Sequence, residues 1–494
     1  MRRYPRRRSP AKGSEFPPSR DGQESACAGS KRRPGNAAHE DGTFRGARSL
    51  NGEHVVIRCG PSALKTIRQI SAVATAPTGT VKVATRDDLH HIRHWRHAFL
   101  NQRKDHRYYD IVERTVEPQF AHRFFIIEDT QSGTRTTQPF FLLDQDLLGG
   151  IPSLAPAVKF VRRWWPGFMQ IRTLMIGCAA GEGHLDGATP MGGRASEILA
   201  NAIREHAAET GARLIVMKEF PAEYRTSLGC FVDHGFTRVP SLPMVVLDID
   251  YADFDDYMQR GLHGKMRSHL RRKFRDAAKS EPIEMSVVSD VTPIIDDIYP
   301  LYLQVYERAT LRFEKLTKEY FCEVGRRMPD KARFFIWRQS GKPVAFSLSL
   351  VHGDAIYNEY LGLDYAVALD LHLYFYAFRD VMSWAIANGY KRYLSTGLSY
   401  DPKLHLRFRL FPLDLYVRHT SRAWNVLLKW LLPLIEPTRY DKTLREFPNY
   451  AELHGENPGR SVPAAAKKEA YPRASSTARS EILDHGATRS RKAM

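Results

Sequence analysis

Between Arg333 and Lys403 the alternation of apolar and polar positions spells out elements one after another. The stretch RFFIWRQSGKPVAFSLSLVHGDAIYNEYLGLDY holds two apolar runs on either side of Gln339-Ser340-Gly341-Lys342, a strand–turn–strand pattern. A third run, AIYNEYLGL, follows the turn at His352-Gly353-Asp354. LDLHLYFYAFRDVMSWAIANGY then suits a helix with Gly389 as its C-terminal stop, and RYLST is a short strand. The order β-β-β-α-β predicts a mixed α/β sheet.

An earlier region gives the same order. TVKVAT predicts a strand, and Asp87 to Leu100 a helix with Leu89, Ile92, Trp95 and Phe99 at helical spacing. RFFIIED, a TQSGTRT turn and QPFFLLDQDLL predict a hairpin. APAVKFVRRWW reads as a helix, IRTLMIG as a strand and CAAGEGHLDGATPMGG as a Gly-rich loop. RASEILANAIREHAAETG is an amphipathic helix, RLIVMKEF a strand, and AEYRTSLGCFVDHGF a helix. TRVPSLPMVVLDI is expected to close this unit as one or two strands. Arg-Phe-Phe-Ile occurs at Arg123–Ile126 and again at Arg333–Ile336, each time followed by Gln-Ser-Gly. Matching element order around both copies makes duplication the reading.

Between the two regions, Asp253 to Ser280 predicts a helical connector. Leu262, Met266, Leu270, Phe274 and Ala277 form one stripe, and Gly261 and Gly264 break the helix in two. The predicted organisation is a tail over 1–78, a first domain over 79–252, the connector over 253–282, a second domain over 283–451 and a tail over 452–494. Both tails lack periodicity and are expected to be disordered.

Charge changes the picture mainly by its location. The net charge is +18, of which residues 1–50 carry +7, Met258–Ser280 +7 and residues 455–494 +4. The rest of the chain is therefore neutral overall. Five scattered cysteines without a CxxC pair argue against a disulfide framework or a cysteine zinc site. No apolar run is long enough to span a bilayer, and RAWNVLLKWLLPLIEP, interrupted by Lys429 and Pro433, reads as a packing helix, with a membrane-surface helix as the alternative. The N-terminus lacks the apolar segment of a signal peptide, so a cytoplasmic protein is expected, with a peripheral place at the inner membrane face as the alternative.

The pattern resembles the GNAT acyltransferase fold, present twice. In the first half the likeness rests on IRTLMIG, the Gly-rich loop, the helix from Arg194 and the ending LGCFVDHGFTRVP. The join DFDDYMQRGLHGKMRSHLRRKFRDA resembles the basic connector of a bacterial subgroup that includes Fem-type peptidyltransferases and peptidoglycan-biosynthesis acetyltransferase-like proteins. YLSTGLSYDPKLHLRFRLFPLDLYVRH is similar to that subgroup's final segment. The resemblance implies a mixed α/β fold of two tandem GNAT-like domains. It also implies a splayed pair of central strands that binds an acyl-CoA's pantetheine arm, and a Gly-rich loop opening a helix that takes the pyrophosphate.

Acyl transfer needs a held donor, a deprotonated amine and a stabilised leaving thiolate. In the first half Gly187, Gly192, Gly193 and Arg194 are candidates for the pyrophosphate, against an ordinary flexible loop, because backbone N–H groups at a helix start face an anion. Their spacing departs from the family's usual one. In the second half the corresponding turn, YAVALD, has no glycine. Candidate acids and bases are Glu219, Glu359, Tyr360, Asp364, Tyr400 and Lys403, the last matching the subgroup's closing Lys. Lys265, Arg267, Arg271 and Arg272 of the connector are candidates for gripping phosphates of a tRNA or of an anionic lipid-linked precursor, against a merely solvated face. His90, His94 and His97 have zinc-compatible spacing on one helix but no partner, and no metal is expected. Cys178 lacks an identifiable base and reads as a structural thiol. The expected activity is N-acyl transfer, most simply of acetyl from acetyl-CoA or another acyl-CoA to an amine. The alternatives are a Fem-like aminoacyl-tRNA-dependent transferase acting on a cell-wall precursor and a non-catalytic GNAT-fold binding protein.

Overall fold

The duplicated Arg-Phe-Phe-Ile falls at equivalent places in two sheets. The computed structural model describes residues 70–71, 79–116, 119–146, 160–164, 170–187, 193–309, 312–397 and 399–455, all within one compact unit from Lys65 onward. The first sheet contains β1 (Ile70–Ser71), β2 (Gly79–Ala84), β3 (Ala121–Asp129), β4 (Arg135–Asp146), β5 (Gln170–Ile176), β6 (Leu214–Pro221) and β7 (Thr237–Pro240). The second contains β8 (Met244–Asp248), β9 (Ile283–Val288), β10 (Ala332–Gln339), β11 (Lys342–His352), β12 (Ala355–Leu363), β13 (Arg392–Ser395) and β14 (Arg409–Phe411), while β15 (Leu413–His419) returns to the first. Their orders are β1-β2-β3-β4-β5-β6-β15-β7 and β14-β8-β13-β12-β11-β10-β9.

The first half is an antiparallel meander from β1 to β5 and the second one from β9 to β12, and each leads into a parallel pair. β5 runs parallel to β6, and β12 parallel to β13. The crossovers are α-helices, as parallel neighbours require. The longer helices are α1 (His106–Thr115), α2 (Gly193–Glu209), α3 (Gly264–Ala277), α4 (Ile295–Arg308), α5 (Lys318–Arg327), α6 (Leu373–Ala387), α7 (Tyr400–His405) and α8 (Arg422–Ile435). α2 makes the first crossover and α6 the second. A central core between the sheets takes residues of α1, α4 and α5 together with Phe124, Ile126, Phe334 and Ile336 of the two repeats. α2 covers the outer face of the first sheet, and α3 and α6 the outer face of the second.

The duplication extends to side chains. Asp105 caps α1 and Thr317 caps α5, each accepting from a backbone N–H in the first turn. The third residue of each helix is a tyrosine, and the hydroxyls of Tyr108 and Tyr320 meet at 2.8 Å in the core.

Three sequence expectations change. The strand Met244–Asp248 does not close the first half. It crosses into the second sheet between β13 and β14, and β15 makes the reciprocal move between β6 and β7. Met244 to Leu247 are all buried, so this strand needs cover on both faces, as a central position supplies. The 87–100 helix is broken into a short helix (Arg86–Leu89) and a 3-10 turn (Arg93–His97), with Ile92 extended and Phe99 left-handed at φ 57°. Asp186 holds the Phe99 N–H at 3.0 Å, which fixes that break. His90, His94 and His97 therefore share no helix face, and His94 bonds Thr137 at 2.6 Å. The basic connector helix α3 does not lie between the halves: Leu262, Leu270 and Ala277 are buried, and Leu270 and Phe274 pack into the second sheet's outer core. The helix predicted over 155–165 lies mostly outside the described residues.

Candidate functional site

In both halves the parallel pair comes apart where a donor-binding fork is expected. β5 and β6 pair from Thr173/Leu214 to Ile176/Met217, and β12 and β13 from Ala355/Arg392 to Asn358/Ser395. Beyond these points the backbones diverge. A bulge in the β11–β12 register leaves Glu359 without a cross-strand partner, and another opposite β15 coincides with Glu219 at φ 57°.

The first fork is filled by its own chain. Cys178 to Asp186 folds back into it, and every residue of that segment is buried except the half-buried Gly181. Gly183 donates to the Glu219 carbonyl at 3.2 Å, and Lys218 Nζ donates to the Gly181 carbonyl at 2.9 Å. Gly183 is needed here for closeness: a Cβ would come within 2.8 Å of the Lys218 carbonyl and of the Phe220 ring. Gly181 is needed twice over, since its φ is 91° and a Cβ would strike Lys104 Nζ.

This filling loop carries charge into the seam between the halves. Glu182 pairs with Arg103, with Lys104 at 2.8 Å and with His184 at 2.9 Å. Arg103 also bonds Glu359 of β12 at 2.6 Å and lies over the Tyr357 ring. Arg103, Lys104, Glu182 and Glu359 are each no more than 5% exposed. Burial disfavours their charges, but two cations against two carboxylates reverse the balance. The Arg103 pKa is raised by Glu182 and Glu359 against the burial that would lower it, and that of Glu182 is held well below the carboxylate range by Arg103, Lys104 and His184. Nearby, Lys218 pairs with Glu219 at 2.6 Å, and Tyr360 donates to Glu314 at 3.1 Å. Burial raises the Glu314 carboxyl, while Glu219 and Glu314 outweigh the burial of Lys218 and raise its ammonium. Burial pushes the Cys178 thiol up to about 11, against a nucleophilic role.

The second fork is not filled by its own chain and is only partly covered: Glu359, Gly362 and Leu363 are buried. Ser395, Thr396 and Gly397 are half-buried, as is Leu361 on the opposite arm. Among the described residues, no backbone hydrogen bond joins 359–363 to 396–399. Lys403 on α7 reaches back and donates to the Thr396 carbonyl at 2.6 Å, and its burial pulls the ammonium pKa down to about 7. Tyr400 anchors the same helix by donating to the Pro243 carbonyl at 2.8 Å. The residues before α6 and α7, His372 and Ser399, are both left-handed at φ 51° and neither caps its helix through its side chain. At the N-terminus of α6, α3 brings up Lys273, 3.4 Å from His372, and His269, whose ring meets that of Phe375 edge-on; Arg272 lies 3.2 Å from His269 on the same helix. His269 and His372 are lowered by burial and then by these neighbouring cations.

The candidates from sequence are thus scattered over several places. Glu359 is committed to Arg103, Tyr360 to Glu314, Glu219 to Lys218, and the Asp364 carboxylate bonds the Ala366 N–H. Tyr400 and Lys403 stand at the second fork. Arg194, at the start of α2, pairs with Asp129 at 2.9 Å. Gly187 has φ 127°, Gly193 opens α2, and Gly192 is outside the described residues. Of the connector cations, Arg272 is exposed beside His269 of its own helix, Arg267 donates to the Gln259 carbonyl, and Lys265 and Arg271 are exposed. Sequence reasoning passed over Arg103, Lys104, Glu182, Lys218 and Glu314. The available signal was charge in apolar settings: Glu182 inside the Gly-rich loop, and Lys218-Glu219 at the end of a strand otherwise apolar.

The forked parallel pair, formed twice, defines a tandem GNAT-like fold. Residues 264–401 match the family model described as an acetyltransferase (GNAT) domain, and the first half repeats the topology of that region. A curated protein of Mycobacterium tuberculosis (strain ATCC 25618 / H37Rv), named "Putative 8-amino-7-oxononanoate synthase 2", is 23% identical over 319 residues, which cover 60% of this chain and 40% of that protein. The chain thus spans less than half the length of this relative. Among solved structures, FemX is 11% identical with a TM-score of 0.42, covering 65% of this chain and 93% of its own. L-PGS from Bacillus licheniformis is 15% identical with a TM-score of 0.38, covering 64% and 89%.

Proposed function

We propose that the protein is an N-acyltransferase whose donor, an acyl-CoA, lies in the fork of the second half. The observation that carries this reading is the asymmetry between the forks: the first is occupied by residues 177–186, and the second keeps a pair of diverging backbones not filled by its own chain. The pantetheine amides would bond backbone groups of 359–363 on the edge turned away from β11 and those of Gly397 on the opposite arm. The pyrophosphate would sit at the N-terminus of α6, where Arg272, Lys273, His269 and His372 gather in place of a Gly-rich loop. The acceptor amine attacks the thioester carbonyl, a C–N bond forms, the C–S bond breaks, and the amine's proton ends on the departing thiolate. Lys403, with a pKa near neutrality, is assigned to that proton transfer, and Tyr400 to fixing α7. Glu359 is assigned to holding the seam rather than to proton transfer.

Calorimetric titration of acetyl-CoA into the protein, followed by a free-thiol assay over a panel of primary amines, tests this. Saturable binding with amine-dependent thiol release supports the reading. The glycine-free turn Tyr365–Asp370 keeps an aminoacyl-tRNA donor as the second reading. No heat with acetyl-CoA, together with salt-sensitive binding of charged tRNA, would replace the first reading by the second.

A further inference from the structure

We propose that one end of the first sheet is a docking face for an anionic lipid bilayer surface. The argument begins with α8, which has no buried residue. Only Asn425, Leu428, Leu432 and Pro433 turn toward the protein far enough to be half-buried. Trp424, Leu427, Trp430, Leu431, Leu434 and Ile435 share another face and are exposed, Trp424 at 59% and Trp430 at 73%. A helix that left such a face to water would forfeit the transfer energy of six large apolar side chains. Arg422 and Lys429 lie off that face. From Leu415 to Ile435 the chain has no carboxylate; Arg422 and Lys429 are exposed, while Arg418 is buried and donates to the His234 carbonyl.

A second segment at the same end of the sheet repeats the chemistry. Asp146 pairs with Gln170, Thr173 with Leu214 and Leu214 with His419, so the end of β4, the starts of β5 and β6 and the end of β15 lie together. The described turn 160–164 is tied to that end by Arg162, which pairs with Asp146 at 2.7 Å. It exposes Phe160 at 69% and Trp164 at 80%, with Arg163 exposed between them. α8 starts three residues after β15, at the same end. Arg172 and Arg213 are exposed there as well, and Asp144 stands opposite Arg172 in register.

Exposed tryptophans and a broad aliphatic face, with cations on the opposite side of the helix and at the neighbouring sheet end, are what an in-plane helix presents to headgroups and the acyl boundary. The cations favour an anionic surface. A second copy of this chain is the weaker fit, because a two-fold contact through this face would set its cations against one another.

The test is co-sedimentation of the full chain with phosphatidylcholine vesicles with and without about 30% phosphatidylglycerol. The expected result is binding to the anionic vesicles at least about tenfold stronger than to the neutral ones, weakening with salt. The double variant Trp424→Glu/Trp430→Glu should lose about tenfold or more while keeping its melting temperature, since both side chains are exposed. That variant retains the basic tails, so its binding as tightly as the wild type would overturn the proposal. Sedimentation of the wild type as a dimer that the double variant dissolves would also overturn it. Should the variant not fold, quenching of wild-type tryptophan emission by brominated lipid decides: quenching supports the proposal, and its absence on anionic vesicles contradicts it.

Discussion

Past Ile176 and past Asn358 the backbone reaches the same fork, yet the two halves treat it differently. In the first, ten residues fold into the gap, bring Glu182 to Arg103 and Lys104, and weld the fork to the neighbouring half. In the second, β12 runs on as a strand and the partner arm turns away at Thr396, held by Lys403. Duplication thus supplied two equivalent openings. One is closed as a structural joint, and the other is not filled by its own chain. The joint also explains why Glu359, at the start of the open fork, is held at the wall: its carboxylate is the second half's share of the seam.

Removing a charge from the joint should have the largest effect. Arg103→Met leaves two buried carboxylates short of a partner and should cost about 3–5 kcal/mol in urea unfolding. A loss below about 1 kcal/mol would mean that the joint does not hold the halves. The open fork should respond in the opposite sense. Lys403 has a folded pKa of about 7 against 10.5 unfolded, so the unfolded chain binds more protons between these values. Wild-type stability should therefore rise as pH climbs from about 7 to 10.5. The penalty is fully present below pH 7. Lys403→Met should abolish that rise and stabilise the protein at pH 7 and below by a few kcal/mol, on the order of 3, while lowering thiol release. Melting curves across this pH range measure it, and an unchanged slope in the variant contradicts it.

Smaller effects separate the two forks further. Gly183→Ala forces a Cβ against the Lys218 carbonyl and should cost about 1–3 kcal/mol, with acetyl-CoA affinity unchanged. A loss of affinity out of proportion to stability would place the donor in the first half. Lys273→Ala should weaken acetyl-CoA several-fold, about 1 kcal/mol, in titrations at low salt. Binding should strengthen as pH falls through the histidine range, because a bound polyphosphate favours protonation of His269 and His372, which burial and adjacent cations hold low in the free protein. A flat pH dependence would remove these histidines from the site.

Much of the fold could be read from the sequence, because strand and helix periods, glycine stops and the repeated Arg-Phe-Phe-Ile are local signals. Val245, Leu247 and Ile249 alternate as a strand should, yet nothing in that alternation names the partner, so the exchange of β8 and β15 was hidden. The break at Ile92–Phe99 was hidden for a similar reason: Asp186, far along the chain, holds the Phe99 N–H. Lys403 was singled out by its place in the closing segment, and the structure puts it against the Thr396 carbonyl. Arg103 and Lys104 were not, since a basic dipeptide before the cap Asp105 looks like surface until the second half is laid over it.

Hydrogen–deuterium exchange with and without saturating acetyl-CoA asks most directly which fork holds the donor. Protection should appear at the amides of 359–363 and 395–399 and at the first turn of α6, with 177–187 unchanged. Protection confined to 177–187, or no change at either fork, would contradict the account.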